Sequence, residues 1–163
     1  MLLNGPQYGY SLKREAGWIS GSAELHNNLV YPALQRFSKQ KWVTRKAVPG
    51  ERGQTRQQYA LTEEGREHLF ELIRDFSEAD AASENKFRLR VGLFEVLNGE
   101  EREAILARRE QYLERRDQKL DAMQSHLEPG KYGREILGYM RKQIESEREW
   151  IRHLRRIARK DAI

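Results

Sequence analysis

Between residues 27 and 65 the spacing of apolar side chains changes period twice, and few folds accommodate both changes. In NNLVYPALQRFSK, residues 27–39, Val30, Leu34 and Phe37 recur at helical spacing and share one face. Asn27 or Asn28 is placed to cap such a helix, because a side-chain amide oxygen accepts an orphan backbone N–H. Pro32 falls within about a turn of the start, where its missing N–H matters least. Trp42 to Val48 and Arg56 to Leu61 then read as strands, and PGERGQT between them supplies the turn residues of a loose hairpin. Thr62 is a natural N-cap for a further helix through His68, Leu69, Leu72, Ile73 and Phe76, with Glu63 and Glu64 at its positive end. Upstream, Tyr8 to Ala16 is expected to be a short helix that Gly17 ends.

Helix, helix, hairpin, helix is the element order of a winged helix-turn-helix. The charge pattern agrees. From residue 36 to 56 the cations are Arg36, Lys39, Lys41, Arg45, Lys46, Arg52 and Arg56, against Glu51 alone among acids. Neutralising phosphates supplies much of the free energy of DNA binding, so a reading helix followed by a basic wing needs such a run. On this reading Asn27, Asn28, Tyr31 and Gln35 face a duplex, with Arg36 and Lys39 beside them, while Val30, Leu34 and Phe37 hold the helix on its domain. Arg45, Lys46, Arg52, Gln54 and Arg56 form the wing, and Arg52 at its tip suits a narrow, electronegative minor groove. Tyr31 has two readings, packing against the hairpin or contacting a phosphate. Trp42 is expected in the core. Without the motif, the cation run would read as a solvated face.

The bulk properties narrow the field. A net charge of +5 with 34% charged residues permits a nucleic-acid partner without requiring one. There is no cysteine, which removes disulfides, thiolate catalysis and cysteine metal sites. His26, His68, His126 and His153 are scattered, with no pair at the spacing of a helical zinc site. No phosphate-cradling glycine loop and no nucleophile–base arrangement stands out, so neither catalysis nor a cofactor is expected. The opening MLLNGPQYGY lacks the basic start and apolar run of a signal peptide, and no segment reaches the length of a membrane span. A soluble, cytoplasmic protein is expected.

The chain resembles the PadR family of bacterial transcriptional regulators. The resemblance is carried by Gly9-Tyr10 with Leu12, by Val30-Tyr31-Pro32-Ala33-Leu34, by Trp42-Val43, and by Gln58-Tyr59-Ala60-Leu61-Thr62-Glu63-Glu64-Gly65, in order and spacing through residues 5–70. It implies a winged helix followed by C-terminal dimerising helices, and a homodimer that binds operator DNA, mostly as a repressor. Two positions depart from the pattern: Asn28 stands where the family has glycine, and Leu29 where it has a small residue or threonine. Base contacts expected of the family therefore do not carry over to these two. The family also has a full helix before the Gly-Pro of the first turn, where Met1-Leu2-Leu3-Asn4 precede Gly5-Pro6, and dimer stability is the property this affects.

The second half changes character. Glycine and proline thin out after residue 65, and the expected division is a winged-helix domain over 1–80 and a helical domain over 81–163. Phe87, Leu89, Val91, Leu93, Phe94, Val96 and Leu97 are dense enough to be largely buried in a helix before Asn98-Gly99 breaks it. Leu106, Leu113, Leu120 and Leu127 repeat by sevens, as do Leu137, Ile144, Ile151 and Ala158 beyond Glu128-Pro129-Gly130, with Glu147 interrupting the second row. Two long helices joined by a short turn make an antiparallel hairpin, and apolar surface exceeding what one partner covers suits a symmetric dimer. The expected fold class is thus mainly α with a small β-hairpin wing. Trp150 is read as a packing residue or as a flat platform for a small aromatic effector. The competing class is an interaction protein whose winged helix docks a protein in place of DNA.

Overall fold

The computed structural model describes residues 1–20, 27–50, 54–126 and 129–160. Asn27, Asn28 and His126 lie in described helices, but their side chains, like all of His26, Arg52 and Leu127, lie outside the described residues. The chain divides into two compact units, Met1–Ile73 and Arg74–Ile163.

In the first unit a 3-10 turn at Leu2–Asn4 leads to strand β1 (Gln7–Tyr8) and helix α1 (Gly9–Ser20). Helix α2 (Asn27–Lys39), strands β2 (Val43–Pro49) and β3 (Thr55–Leu61), and helix α3 (Glu63–Arg74) follow. The sheet is antiparallel in the order β1-β3-β2, with Val43 opposite Leu61 and Tyr8 opposite Gln58. Three sequence expectations are corrected here. Tyr8 belongs to a strand, since Gln7 and Tyr8 pair with Tyr59 and Gln58 and complete the sheet edge. Gly17 is buried inside α1, which runs on to Ser20, instead of ending it. Phe76 lies past the end of α3.

Leu12, Leu34, Val43 and Tyr59 form the core, with Leu2, Val30, Phe37 and Leu61 packed against it. The helical face chosen by Val30, Leu34 and Phe37 is therefore the buried one. α2 ends in a Schellman motif: the Trp42 N–H donates to the Phe37 carbonyl at 3.0 Å and the Lys41 N–H to that of Ser38 at 3.1 Å. Its left-handed residue is Lys41, at φ 59°, where glycine is the usual occupant. The Trp42 ring packs on Phe37, with centroids 5.8 Å apart, and stacks on His68 at 3.9 Å. Thr62 locks this corner to α3. Its hydroxyl accepts from the Gly65 N–H at 2.9 Å and reaches the carbonyls of Lys41 at 2.7 Å and Trp42 at 3.0 Å. Gly65 lies so close that a Cβ there would stand 1.9 Å from the Trp42 carbonyl oxygen.

The second unit contains α4 (Glu78–Ala81), α5 (Glu84–Val91), a 3-10 turn at Phe94–Val96, and the long helices α6 (Gly99–His126) and α7 (Lys131–Lys160). Phe76 belongs with it, its ring 6.3 Å from that of Phe87. Asn98 and Glu101 cap α6 reciprocally, each side chain accepting the other's backbone N–H at 2.9 Å. Leu106, Leu113, Leu120, Ile144 and Ile151 form the buried seam of the hairpin. Glu147, the interruption in the seam, meets Arg109, which is 2% exposed. Two N–H···O bonds of 2.8 Å join the guanidinium to the carboxylate, and the remaining nitrogen donates to the Ala81 carbonyl. The rings of Phe87 and Tyr112 lie 5.5 and 5.1 Å from its carbon. The stretch after Phe87 is less buried than its composition implied. α5 stops at Val91, the 3-10 turn breaks the period, and Leu89 is 46% exposed. Among the described residues no helix is long and apolar enough to cross a membrane.

Substituting Gly65→Ala is expected to destabilise the first unit by about 3 kcal/mol, because the added carbon meets backbone that cannot yield. Lys41→Gly is expected to stabilise it by about 1 kcal/mol through relief of the left-handed conformation. Urea unfolding followed by circular dichroism checks both, and a lowered midpoint for Lys41→Gly would contradict the corner described above. In the second unit, Asp80 is held below the ordinary carboxylate range by the hydrogen bond from Lys86 at 2.5 Å, then by the charge of Arg90. Glu101 is lowered by the Asn98 backbone N–H first and by Arg74 next. Carboxyls with depressed folded values contribute stability above their unfolded value of about 4, lost as pH falls through the folded values. Melting temperature should hold from pH 7 to 5 and drop below about 4. Asp80→Asn should lower it at neutral pH and flatten that acid limb.

Candidate nucleic-acid interface

With one face of α2 on the core, the opposite face is committed to the outside. Gln35, Arg36 and Lys39 are exposed on it, about one turn apart along the axis. Pro32 is exposed there too, so the proline that costs a backbone bond sits on the outward side. Tyr31 lies at the border between the two faces and is 37% exposed. Its ring covers the backbone of Gly9: a Cβ on Gly9 would stand 3.1 Å from Tyr31 Cε1 and 3.3 Å from Tyr59 Cε2. The packing reading of Tyr31 therefore holds, against α1 and Tyr59, and the ring is still open to solvent. Leu29 is 61% exposed on the same helix, an apolar group that nothing in its residue type marked as part of this surface.

The hairpin extends the surface. Its two strands pair from Val43↔Leu61 to Pro49↔Thr55, and the Gly50 N–H closes the turn on the Gln54 carbonyl at 2.7 Å. Gly50 is required by the close approach of that carbonyl, which would stand 2.7 Å from a Cβ, and by the side chain of Arg56 at 2.8 Å. Strand alternation sorts the wing residues onto two faces. Arg45 lies opposite Tyr59, and its guanidinium donates to Gln57 Oε1 at 2.9 Å on that face. Lys46 lies opposite Gln58 and Arg56 opposite Val48, on the other face. Arg45, Lys46, Gln54 and Arg56 are all exposed. Arg52, the expected tip contact, lies outside the described residues.

The electrostatics of this surface are one-sided. From residues 27–50 and 54–61 the described chain contains Arg36, Lys39, Lys41, Arg45, Lys46 and Arg56 and no aspartate or glutamate. Lys41, counted in the cation run but not among the expected contacts, is exposed at the corner between α2 and β2. Among the described residues no group of histidine, aspartate and glutamate is arranged to hold a metal ion. Trp150, the residue read for a flat ligand, sits on α7 in the second unit. Its ring meets Phe87 edge-on at 5.6 Å and is half-buried.

Residues 1–71 match the model of the transcriptional regulator PadR-like family. No curated protein matches the chain. Among solved structures, Bacillus subtilis PadR in complex with operator DNA is 15% identical, with a TM-score of 0.45, over 96% of this chain and 94% of that one. The same protein in complex with p-coumaric acid is 14% identical, with a TM-score of 0.40, over 96% and 93%. A transcriptional regulator, TA0346, from Thermoplasma acidophilum is 26% identical, with a TM-score of 0.41, over 48% of this chain and 70% of that one.

The position of Tyr31 makes its two roles separable. Tyr31→Phe keeps the ring over Gly9 and should leave thermal stability within about 0.5 kcal/mol of the parent. Tyr31→Ala removes the ring and should cost about 1–2 kcal/mol, measured by the same thermal melt. Equal losses in both would mean that the hydroxyl, not the ring, is what the first unit needs.

Proposed function

We propose that this chain, whose first 71 residues belong to the transcriptional regulator PadR-like family, is a DNA-binding repressor that acts as a homodimer on an inverted-repeat operator. The observation that carries the reading is the cationic surface made by the outer face of α2 and the hairpin strands, without an acid among the described residues, mounted on a helix whose other face is core. Gln35 and Tyr31 offer hydrogen bonds to base edges and phosphates, and Asn27 and Asn28 begin the same helix. Arg36 and Lys39 pair with backbone phosphates, while Arg45, Lys46, Gln54 and Arg56, with Arg52 at the tip, engage from the wing. A single unit of this size binds weakly. Two units held at a fixed separation read half-sites roughly 34–36 Å apart or at multiples of that.

A second copy also suits the second unit. Tyr132, Ile136 and Tyr139 follow helical spacing on α7 and are 82%, 55% and 61% exposed, an apolar stripe unusual on a monomer surface. Release by a small aromatic effector would require binding that differs between DNA-bound and free forms. An effector seated beside Trp150 would have to part that ring from Phe87. Titration of tryptophan fluorescence with aromatic acids and planar cations tests this, and the absence of a saturable change removes the effector from the scheme.

Fluorescence polarisation on a 30-base-pair duplex across a salt series tests the main reading. Contacts to about six phosphates give a log–log slope near −5. Arg45→Gln with Arg56→Gln should weaken binding at every salt concentration and make that slope shallower by about 2. Salt-independent behaviour would instead favour a protein-docking module. Footprinting on a selected operator should protect two symmetric half-sites, and protection of one at saturation would rule out the dimeric arrangement.

A further inference from the structure

Apart from Arg134, which donates to the Pro129 carbonyl at 2.9 Å, the arginines of helix α7 fall into two sets. Arg141, Arg148 and Arg155 point to α6 and are paired there: Arg141 with Asp121 at 2.5 Å, Arg148 with Asp117 at 3.0 Å, and Arg155 with Glu103 at 2.8 Å and Glu110 at 2.7 Å. Those carboxylates raise the Arg155 pKa further, Glu103 most. Arg152, Arg156 and Arg159 form the other set. They are exposed and, among the described residues, have no acidic partner. Spaced by four and three residues, they lie in one row along the helix, beside the α6-facing Arg155. With Glu149 and Arg155 they line a depression of about 520 Å³.

Glu145 and Glu149 precede the row on the same face, but from residue 150 to 160 the helix has no acid, and every described cation in the row is arginine, whose planar fork binds two phosphate oxygens at once. The negative end of the helix dipole favours cations in the last turn, which accounts for Arg159 but reaches neither Arg152 nor Arg156. All five lining residues come from a single helix, so the depression has one wall and cannot enclose a compact ligand. A row of three guanidiniums extends about 10 Å along the helix axis. One strand of duplex DNA places a phosphate about every 3.4 Å along its own axis. The row thus matches a short run of consecutive phosphates on an extended polyanion.

We infer that Arg152, Arg156 and Arg159 form a second, sequence-independent contact to the DNA phosphate backbone, separate from the winged helix. This rests on the DNA-binding reading for the identity of the polyanion. It adds a term to affinity without adding base specificity, because guanidiniums on phosphates do not read sequence.

The test uses full-length protein and a fluorescein-labelled random 30-base-pair duplex in a salt series. Four proteins are compared: wild type, a wing variant (Arg45→Gln, Lys46→Gln, Arg56→Gln), an α7 variant (Arg152→Gln, Arg156→Gln, Arg159→Gln), and the two combined. The three α7 side chains have no described partner to lose, so that variant should fold, as circular dichroism will show. The α7 variant should have a log–log slope shallower by about 2 to 3. The wing variant should retain residual salt-dependent binding that the combined variant lacks. Arg155→Gln should leave the slope unchanged, because Glu103 and Glu110 already neutralise that charge.

An unchanged slope in the α7 variant overturns the inference, as does a failure of wild type to bind the duplex. An equal shift from Arg155→Gln also overturns it, since the helix would then act only through its total charge. A changed oligomeric state on gel filtration at constant slope assigns the row to contact between copies, again against it. If the wing variant binds like wild type while the α7 variant does not, the wing assignment fails and the α7 contact stands.

Discussion

The hydroxyl of Thr62 is the point from which the first unit takes its geometry. One oxygen caps α3 through the Gly65 N–H and bonds the carbonyls at the end of the α2–β2 corner. Helix α2, the hairpin and α3 are therefore joined at one corner by this side chain, with the Thr62 N–H adding a bond to the Trp42 carbonyl. The corner tolerates no bulk, as the 1.9 Å approach at Gly65 shows, and it holds Lys41 in a conformation that glycine would adopt at lower cost. Relative placement of a helix and a hairpin matters when both must meet one rigid ligand. A displacement of an ångström at this corner would be felt by every contact on the surface.

The second unit solves a different problem with a charge. Burying Arg109 at 2% exposure is tolerable because each of its three nitrogens has a partner: Glu147 takes two, the Ala81 carbonyl the third, and two aromatic rings cover its faces. In doing so it ties α4, α5, α6 and α7 together. An apolar seam by itself allows the two long helices to slide by a heptad, since leucine fits leucine at each repeat. A bidentate ion pair in the middle of the seam specifies one register.

The arginines of α7 illustrate how charge counting misleads without partners. By composition the last third of that helix is uniformly basic. In the fold, three of its arginines are spent on α6 carboxylates, and three others are left facing outward in a row. Of the two sets, only the second contributes a field that a polyanion would meet. The hairpin differs, since Arg45 is hydrogen-bonded to the neutral amide of Gln57 and keeps its full charge.

Much of this was legible in residue order. The helical period of Val30, Leu34 and Phe37, the strands flanking PGERGQT and the Thr62 cap are local signals, determined by backbone chemistry and short-range spacing, and each appears at its expected place. The cation run, with Glu51 alone against it, is likewise a property of the sequence. What the sequence left open depends on contacts between distant residues. Two-residue β1 has no period to read and exists because β3 offers it an edge. Gly17 ends no helix because burial, not turn chemistry, decides its place. Glu147 looked like an error in a heptad until Arg109 arrived from 38 residues away, and Leu89 looked like core but stands on the face of α5 opposite the buried Phe87. Local structure follows from the chain's own stereochemistry, while burial and charge pairing are settled only when separate segments compete for the same space.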